Sequence, residues 1–173
     1  MKQLLVLIST SLFMAFTPLS EDWKTIDVVE KVKLSMPSEP LPVDSKGGPQ
    51  EIKKCIMTDS TELALILLDF TKLGVTEEML EGLKDTEDFK EQIKGGFVAN
   101  GGEIKSESEG KYADKHLYFQ FNLEVPKDDK KVSNITRIVF YKHYAIMLSY
   151  IPGKQGNDKA LMDKFYNSLS ISE

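Results

Sequence analysis

The chain has 173 residues, 41% apolar and 28% charged, with a net charge of −5. Such values fit one soluble globular domain. The acidic balance argues against general nucleic-acid binding, where Lys and Arg must neutralise phosphates, and against docking on anionic lipid headgroups. One cysteine, Cys55, rules out an intrachain disulfide and a multi-cysteine metal site, so the core alone must hold the domain.

The first twenty residues read as an export leader. Lys2 is followed by an uncharged, glycine-free run over residues 4–16, which Glu21 and Asp22 end abruptly. One positive charge before a short apolar stretch is the layout of a secretory signal, and it falls short of the roughly 20 residues a membrane span needs. Residues 15–17 offer small side chains for cleavage, but Pro18 follows them awkwardly. An uncleaved leader would serve as a membrane anchor. The alternative is a buried N-terminal helix. The expected division is therefore a signal peptide over 1–20 and a single domain over 23–173.

Within that domain, Val32-Lys33-Leu34-Ser35-Met36 alternates apolar and polar residues, the period of a strand, and Pro37, Pro40 and Pro42 stop it. A turn at Gly47-Gly48-Pro49 leads into a second strand over 50–58. Residues 63–70 are almost wholly apolar, which predicts a strand covered on both faces. Thr76 is a good helix N-cap, with Glu77 and Glu78 at the positive end of the dipole. Met79, Leu80, Leu83, Phe89, Ile93 and Phe97 then approximate one helical face, ending near Gly95-Gly96 or Gly101-Gly102. Residues 103–109 suit a short polar strand, with a turn at Gly110. Leu117, Phe119, Phe121, Leu123 and Val125 alternate with polar partners, the strongest strand signal in the chain. Pro126 to Lys131 reads as a charged hairpin. Two strands, 135–141 and 144–151, meet at Lys142-His143 and are apolar on both parities. Leu161, Met162, Phe165, Tyr166 and Leu169 form a closing helical stripe behind a cap at Asn157 or Asp158. Three strands, a helix, four strands and a helix predict an α+β fold with a mostly antiparallel sheet between helical layers.

This series resembles the PsbP-like family. The likeness rests on the opening Val32–Pro37 strand and proline, on 63–70 followed by Gly74 and a long helix, and on the strands that follow. The hairpin over 136–151 and the ending Lys164-Phe165-Tyr166-Asn167-Ser168-Leu169 complete it. The resemblance implies an α/β/α sandwich with its central sheet flanked by helices. It also implies a non-enzymatic binding or assembly module, as most family members are. Fold alone does not assign function, and no family binding residue carries over.

Few residues suggest chemistry. His116 sits on the polar parity of a strand and His143 in a tight hairpin; surface histidines are the plainer reading, and they lack paired metal-ligand spacing. A dispersed His/Ser/Asp triad stays open, but there is no Gly-x-Ser-x-Gly elbow and no phosphate-cradling glycine loop. Asp128-Asp129 could suggest calcium, yet Lys127, Lys130 and Lys131 make a solvated turn the simpler account. Asp69, inside an apolar run, either caps a turn through Thr71 or is a pocket carboxylate with a raised pKa. Cys55 is either a small buried hydrophobe or a reactive thiol without a neighbouring histidine. Asn134-Ile135-Thr136 fits a glycosylation acceptor, which matters only in a eukaryotic secretory host. Most aromatics of the last third suit a core, while Tyr118, Tyr141 and Tyr144 could line a surface for a partner.

The leading expectation is an exported, non-catalytic module that recognises a protein partner in the cell envelope, without cofactor, metal or catalytic residues. The alternative is a carrier or sensor of a small amphiphile held between helix and sheet, and the third reading is a hydrolase with a dispersed site. An apolar pocket of several hundred Å3 would favour the carrier, and a flat aromatic patch the partner module.

Overall fold

A computed structural model describes residues 23–45, 48–127 and 129–172. The leader over 1–20 and Asp128 of the candidate calcium pair lie outside the described residues.

Among the described residues, ten strands and three α-helices follow one another as β1 (Lys24–Val29), β2 (Val32–Met36), β3 (Leu41–Val43), β4 (Gln50–Ile56), β5 (Glu62–Asp69), α1 (Glu77–Leu83), α2 (Glu87–Ala99), β6 (Glu103–Tyr112), β7 (His116–Lys127), β8 (Lys130–Tyr141), β9 (Tyr144–Ile151), α3 (Lys159–Asn167) and β10 (Ser170–Ile171). Seven strands make the central sheet in the order β3-β4-β5-β9-β8-β7-β6, and every neighbouring pair is antiparallel. A three-stranded sheet, β1-β2-β10, packs with α3 on one face. Helices α1 and α2 lie on the other. The antiparallel sheet with helices on both faces is the expected architecture, but β2 lies in the second sheet beside α3 rather than in the central one.

Side-chain alternation divides the core in two. Leu63, Leu65, Ile146, Leu148 and Tyr150 point toward β2 and α3, where they meet Leu34, Phe165 and Tyr166. Phe119, Phe121, Leu123, Ile138 and Phe140 point the other way, toward Leu80 and Phe89. Strands β8 and β9 are covered on both faces through most of their length, which is why both of their parities are apolar.

Several local expectations hold. The Thr76 side chain accepts from Met79 N, and the Asp158 side chain accepts from Leu161 N. Asp69 accepts from Thr71 N at 2.9 Å and from Thr71 Oγ1, capping a 3-10 turn over Phe70–Leu73. Those bonds hold its carboxyl below the usual range, so it is not a pocket acid with a raised pKa. Cys55 is buried, and its thiol contacts Ser38.

Other details differ. The long helix is broken in two. Thr86 Oγ1 donates to Leu83 O, ending α1, and accepts from Phe89 N to start α2, leaving Met79 and Leu83 exposed. The turn expected at Gly110 falls at Ala113 and Asp114, both at positive φ. Gly110 stays in the strand, and its missing side chain makes room for Tyr118, whose ring would lie 2.9 Å from a Cβ there. Strands β1, β3 and β10 lack strong alternation and are held by pairing with stronger neighbours. Finally, β5 is not covered on both faces. Leu63, Leu65 and Leu67 are buried, whereas Ala64, Ile66 and Leu68 remain half-exposed.

Candidate ligand cleft

The uncovered face of β5 opens onto α2, and the helix sequence explains how. At about 100° per residue, Phe89, Ile93 and Phe97 point down to the sheet. Lys90 and Lys94 fall on one flank, and Gln92 and Gly96 on the other. The lysine flank is anchored to β6: Lys90 Nζ lies 3.0 Å from Glu109 and 3.5 Å from Glu107, and Lys94 Nζ lies 3.0 Å from Glu107. The Glu109 hydrogen bond raises the Lys90 pKa, and the Lys94 hydrogen bond lowers that of Glu107. The helix therefore leans toward β6 and leaves β5 open. It stops where Gly102 N donates to Phe97 O at 2.9 Å, with Gly101 at φ 80°.

Between the glutamine flank and the sheet lies a cleft of about 430 Å3. Its floor is two rows of side chains running across three strands: Ile66, Met147 and Ile138, then Leu68, Ala145 and Phe140. Ala145 is the small member of its row and leaves depth at the centre. Phe70 and Phe97 close the ends. The Phe89 ring stands 5.7 Å from Phe140 and 6.1 Å from Phe70, so the aromatic wall is mutually packed. Gln50, Gln92 and Asn100 supply the polar groups, and among the described residues no ionisable side chain lines the cleft. Asn100 Nδ2 donates to Gly96 O at 2.8 Å. A Cβ built on Gly96 meets no atom within 4 Å, so the helix leaves open space there.

The sequence does not single out Gln50, Gln92, Gly96 or Asn100. The spacing of 92, 96 and 100, one polar or empty flank beside an apolar stripe, is the signal that could have found them.

The three tyrosines proposed from sequence as a partner surface lie on the opposite sheet face. Tyr141 is buried at 8% exposure, and Tyr118 and Tyr144 are half-buried against the core. Arg137 sits 4.9 Å from the Tyr118 ring and 4.5 Å from the Tyr166 ring, while Tyr144 stacks 4.1 Å from His143. Their rings mostly fill the core, so they do not make a flat exposed patch. The histidines are separated as well: His116 packs on Tyr141, and His143 Nε2 is 3.9 Å from Asp69. Burial pushes the His116 pKa down, helped by Lys84 and Lys115. Asn134 Oδ1 accepts from Ser149 and Thr136, and Thr136 is buried, so that acceptor sequence lies within a packed strand. Among the described residues there is no cluster of three or more His, Cys, Asp or Glu able to hold a metal. Nor is any described helix long and apolar enough to cross a membrane.

No protein-family model matches this sequence, and no curated protein matches it. Solved structures do. A cyanobacterial PsbP from Synechocystis superposes with a TM-score of 0.58 at 14% identity, covering 88% of this chain and 94% of that one. The Pseudomonas aeruginosa protein PA94, of unknown function and described as a candidate regulator, gives a TM-score of 0.53 at 6% identity. It covers 87% of this chain and 98% of its own. At such identities the likeness concerns fold alone. The chain has the PsbP-like fold.

Proposed function

We propose that this protein is a non-catalytic binding protein that holds a small amphiphilic ligand in the cleft between α2 and the central sheet. One observation carries the reading. Strand β5 is apolar on both parities, yet its Ile66 and Leu68 face is left uncovered beside an apolar cleft of about 430 Å3. Exposed apolar surface is costly in water unless something binds there. That volume falls in the range of small-molecule sites, about 300–1,000 Å3. The leader supports a place of action outside the cytoplasm. The described residues that line the cleft are apolar side chains, carboxamides and a glycine, none of them an acid, a base or a nucleophile.

A neutral fluorescent probe such as Nile red tests the reading. Its emission should rise on binding the wild-type protein and stay flat with Gly96→Leu, whose side chain enters the cleft. Equal emission from both would sink the proposal. Export is tested separately, by fusing residues 1–25 to a reporter active only outside the cytoplasm; a silent reporter would refute it.

Recognition of an envelope protein remains the second reading, favoured by one feature. Leu73, Met79 and Leu83 are 54%, 50% and 42% exposed around α1. Such side chains suit the apolar centre of a protein interface. Loss of partner capture in Met79→Ser/Leu83→Ser, with Nile red binding intact, would favour it.

A further inference from the structure

The cleft has polar groups of one kind only. Gln50, Gln92 and Asn100 are all carboxamides, and the rest of the lining among the described residues is apolar apart from Gly96. A carboxamide both donates and accepts hydrogen bonds but carries no charge. Asn100 spends one donor on Gly96 O, which leaves its oxygen as an acceptor. Gln50 and Gln92 make no side-chain hydrogen bond among the described residues. The nearest helix cations are already committed on the opposite flank, Lys90 to Glu109 and Lys94 to Glu91 and Glu107.

Resting on the ligand-binding reading above, we infer that the cleft selects an amphiphile with an uncharged, hydrogen-bonding head, such as a monoacylglycerol, over a fatty acid or another charged lipid. The apolar rows from Ile66 to Ile138 and from Leu68 to Phe140 take the chain. Gln50 and Gln92 meet the head, where hydroxyl groups can donate to the amide oxygens and accept from the amide nitrogens. Gln50 is half-buried and Gln92 exposed, so a carboxylate held between them would lose part of its water without gaining a counter-charge, a larger loss than for a neutral group. An ammonium head would meet the same penalty.

Monolaurin and laurate share one acyl chain and differ in the charge of the head. Each is titrated against the full-length protein carrying Nile red, below its micelle concentration and at about pH 8, where laurate is ionised. Monolaurin should displace the dye at about tenfold lower concentration than laurate. Gln92→Lys, a change on the solvent side of α2, places an ammonium at the rim. It should narrow the gap severalfold, because a charge-assisted hydrogen bond then meets the carboxylate. Laurate binding the wild-type protein as well as monolaurin would overturn the inference while leaving the ligand-binding reading intact. An unchanged gap in Gln92→Lys would also overturn it. Failure of Nile red to bind at all would instead strike the underlying reading.

Discussion

The Tyr166 hydroxyl donates a 2.6 Å hydrogen bond to the carbonyl of Ile135, 31 positions earlier in the chain, and so ties α3 to the middle of the central sheet. Tyr166 is 1% exposed, and burial raises its pKa, so the hydroxyl stays protonated and remains a donor. The Arg137 guanidinium lies over its ring at 4.5 Å and is oriented by Gln120, whose Oε1 accepts from Nε and Nη2 at 3.1 and 2.9 Å. Tyr166→Phe keeps the ring and removes only the hydroxyl. It should cost about 1 kcal/mol in urea unfolding. Tyr166→Ala also opens a cavity and should cost about 3–5 kcal/mol. Equal losses would mean that the hydrogen bond, not the ring, carries the contact.

Phe119 lies on the helix-facing side of β7 at 3% exposure, with its ring 5.5 Å from Phe140 and 6.3 Å from Phe121. Phe119→Ala should destabilise by roughly 3–5 kcal/mol. Lys130, exposed at the start of β8, provides the contrast. Lys130→Ala should change stability by less than about 0.5 kcal/mol. Chemical denaturation of the two variants side by side checks both values.

Gly96 sits within α2 beside open space. Glycine in a helix costs roughly 0.5–1 kcal/mol relative to alanine. Gly96→Ala should therefore stabilise the protein by about that amount while narrowing the cleft by one methyl group. A higher unfolding midpoint together with weaker Nile red binding is the expected pair of results. A destabilised Gly96→Ala would show that the helix cannot accept a side chain at that position.

His116 prefers its neutral form in the folded protein, because burial and then Lys84 and Lys115 oppose the proton, while Glu81 favours it weakly. Its folded pKa lies below the ordinary value of 6.5, so the unfolded chain takes up the proton first as the pH falls. Stability should therefore decline on acidification from near pH 6.5 to the lowered folded value, and level off for this group below it. His116→Gln removes the titration and should flatten the slope in that window. An identical slope in wild type and variant would show that other groups cause it. The cleft shares no lining residue with His116, so Nile red binding should be unchanged in the same variant.

Much of the fold is legible in the chain. The alternation from Leu117 to Val125, the doubly apolar β8 and β9, and the caps at Thr76 and Asp158 follow from short-range rules, because period and capping depend on residues only a few positions apart. Strands β1, β3 and β10 are not legible in that way. Pro42 in β3 and the two-residue β10 depend on partners far along the chain. The break between α1 and α2 is a closer case, since Thr86 can cap a helix but the apolar spacing on either side of it reads as continuous.

The cleft marks where sequence stops and tertiary structure takes over. The sequence by itself determined that the β5 segment is almost wholly apolar and that the helix after it carries an apolar stripe. It could not say which neighbours those faces meet. Only the packed structure decided that Lys90 and Lys94 bind Glu107 and Glu109 on β6, drawing the helix over one half of the sheet and leaving Ile66 and Leu68 open. The same applies to Tyr118, Tyr141 and Tyr144, whose place on a strand is local but whose burial depends on α3 and β2 lying against that face. Burial depends on contacts between residues distant in sequence, and periodicity carries no information about which distant element supplies them.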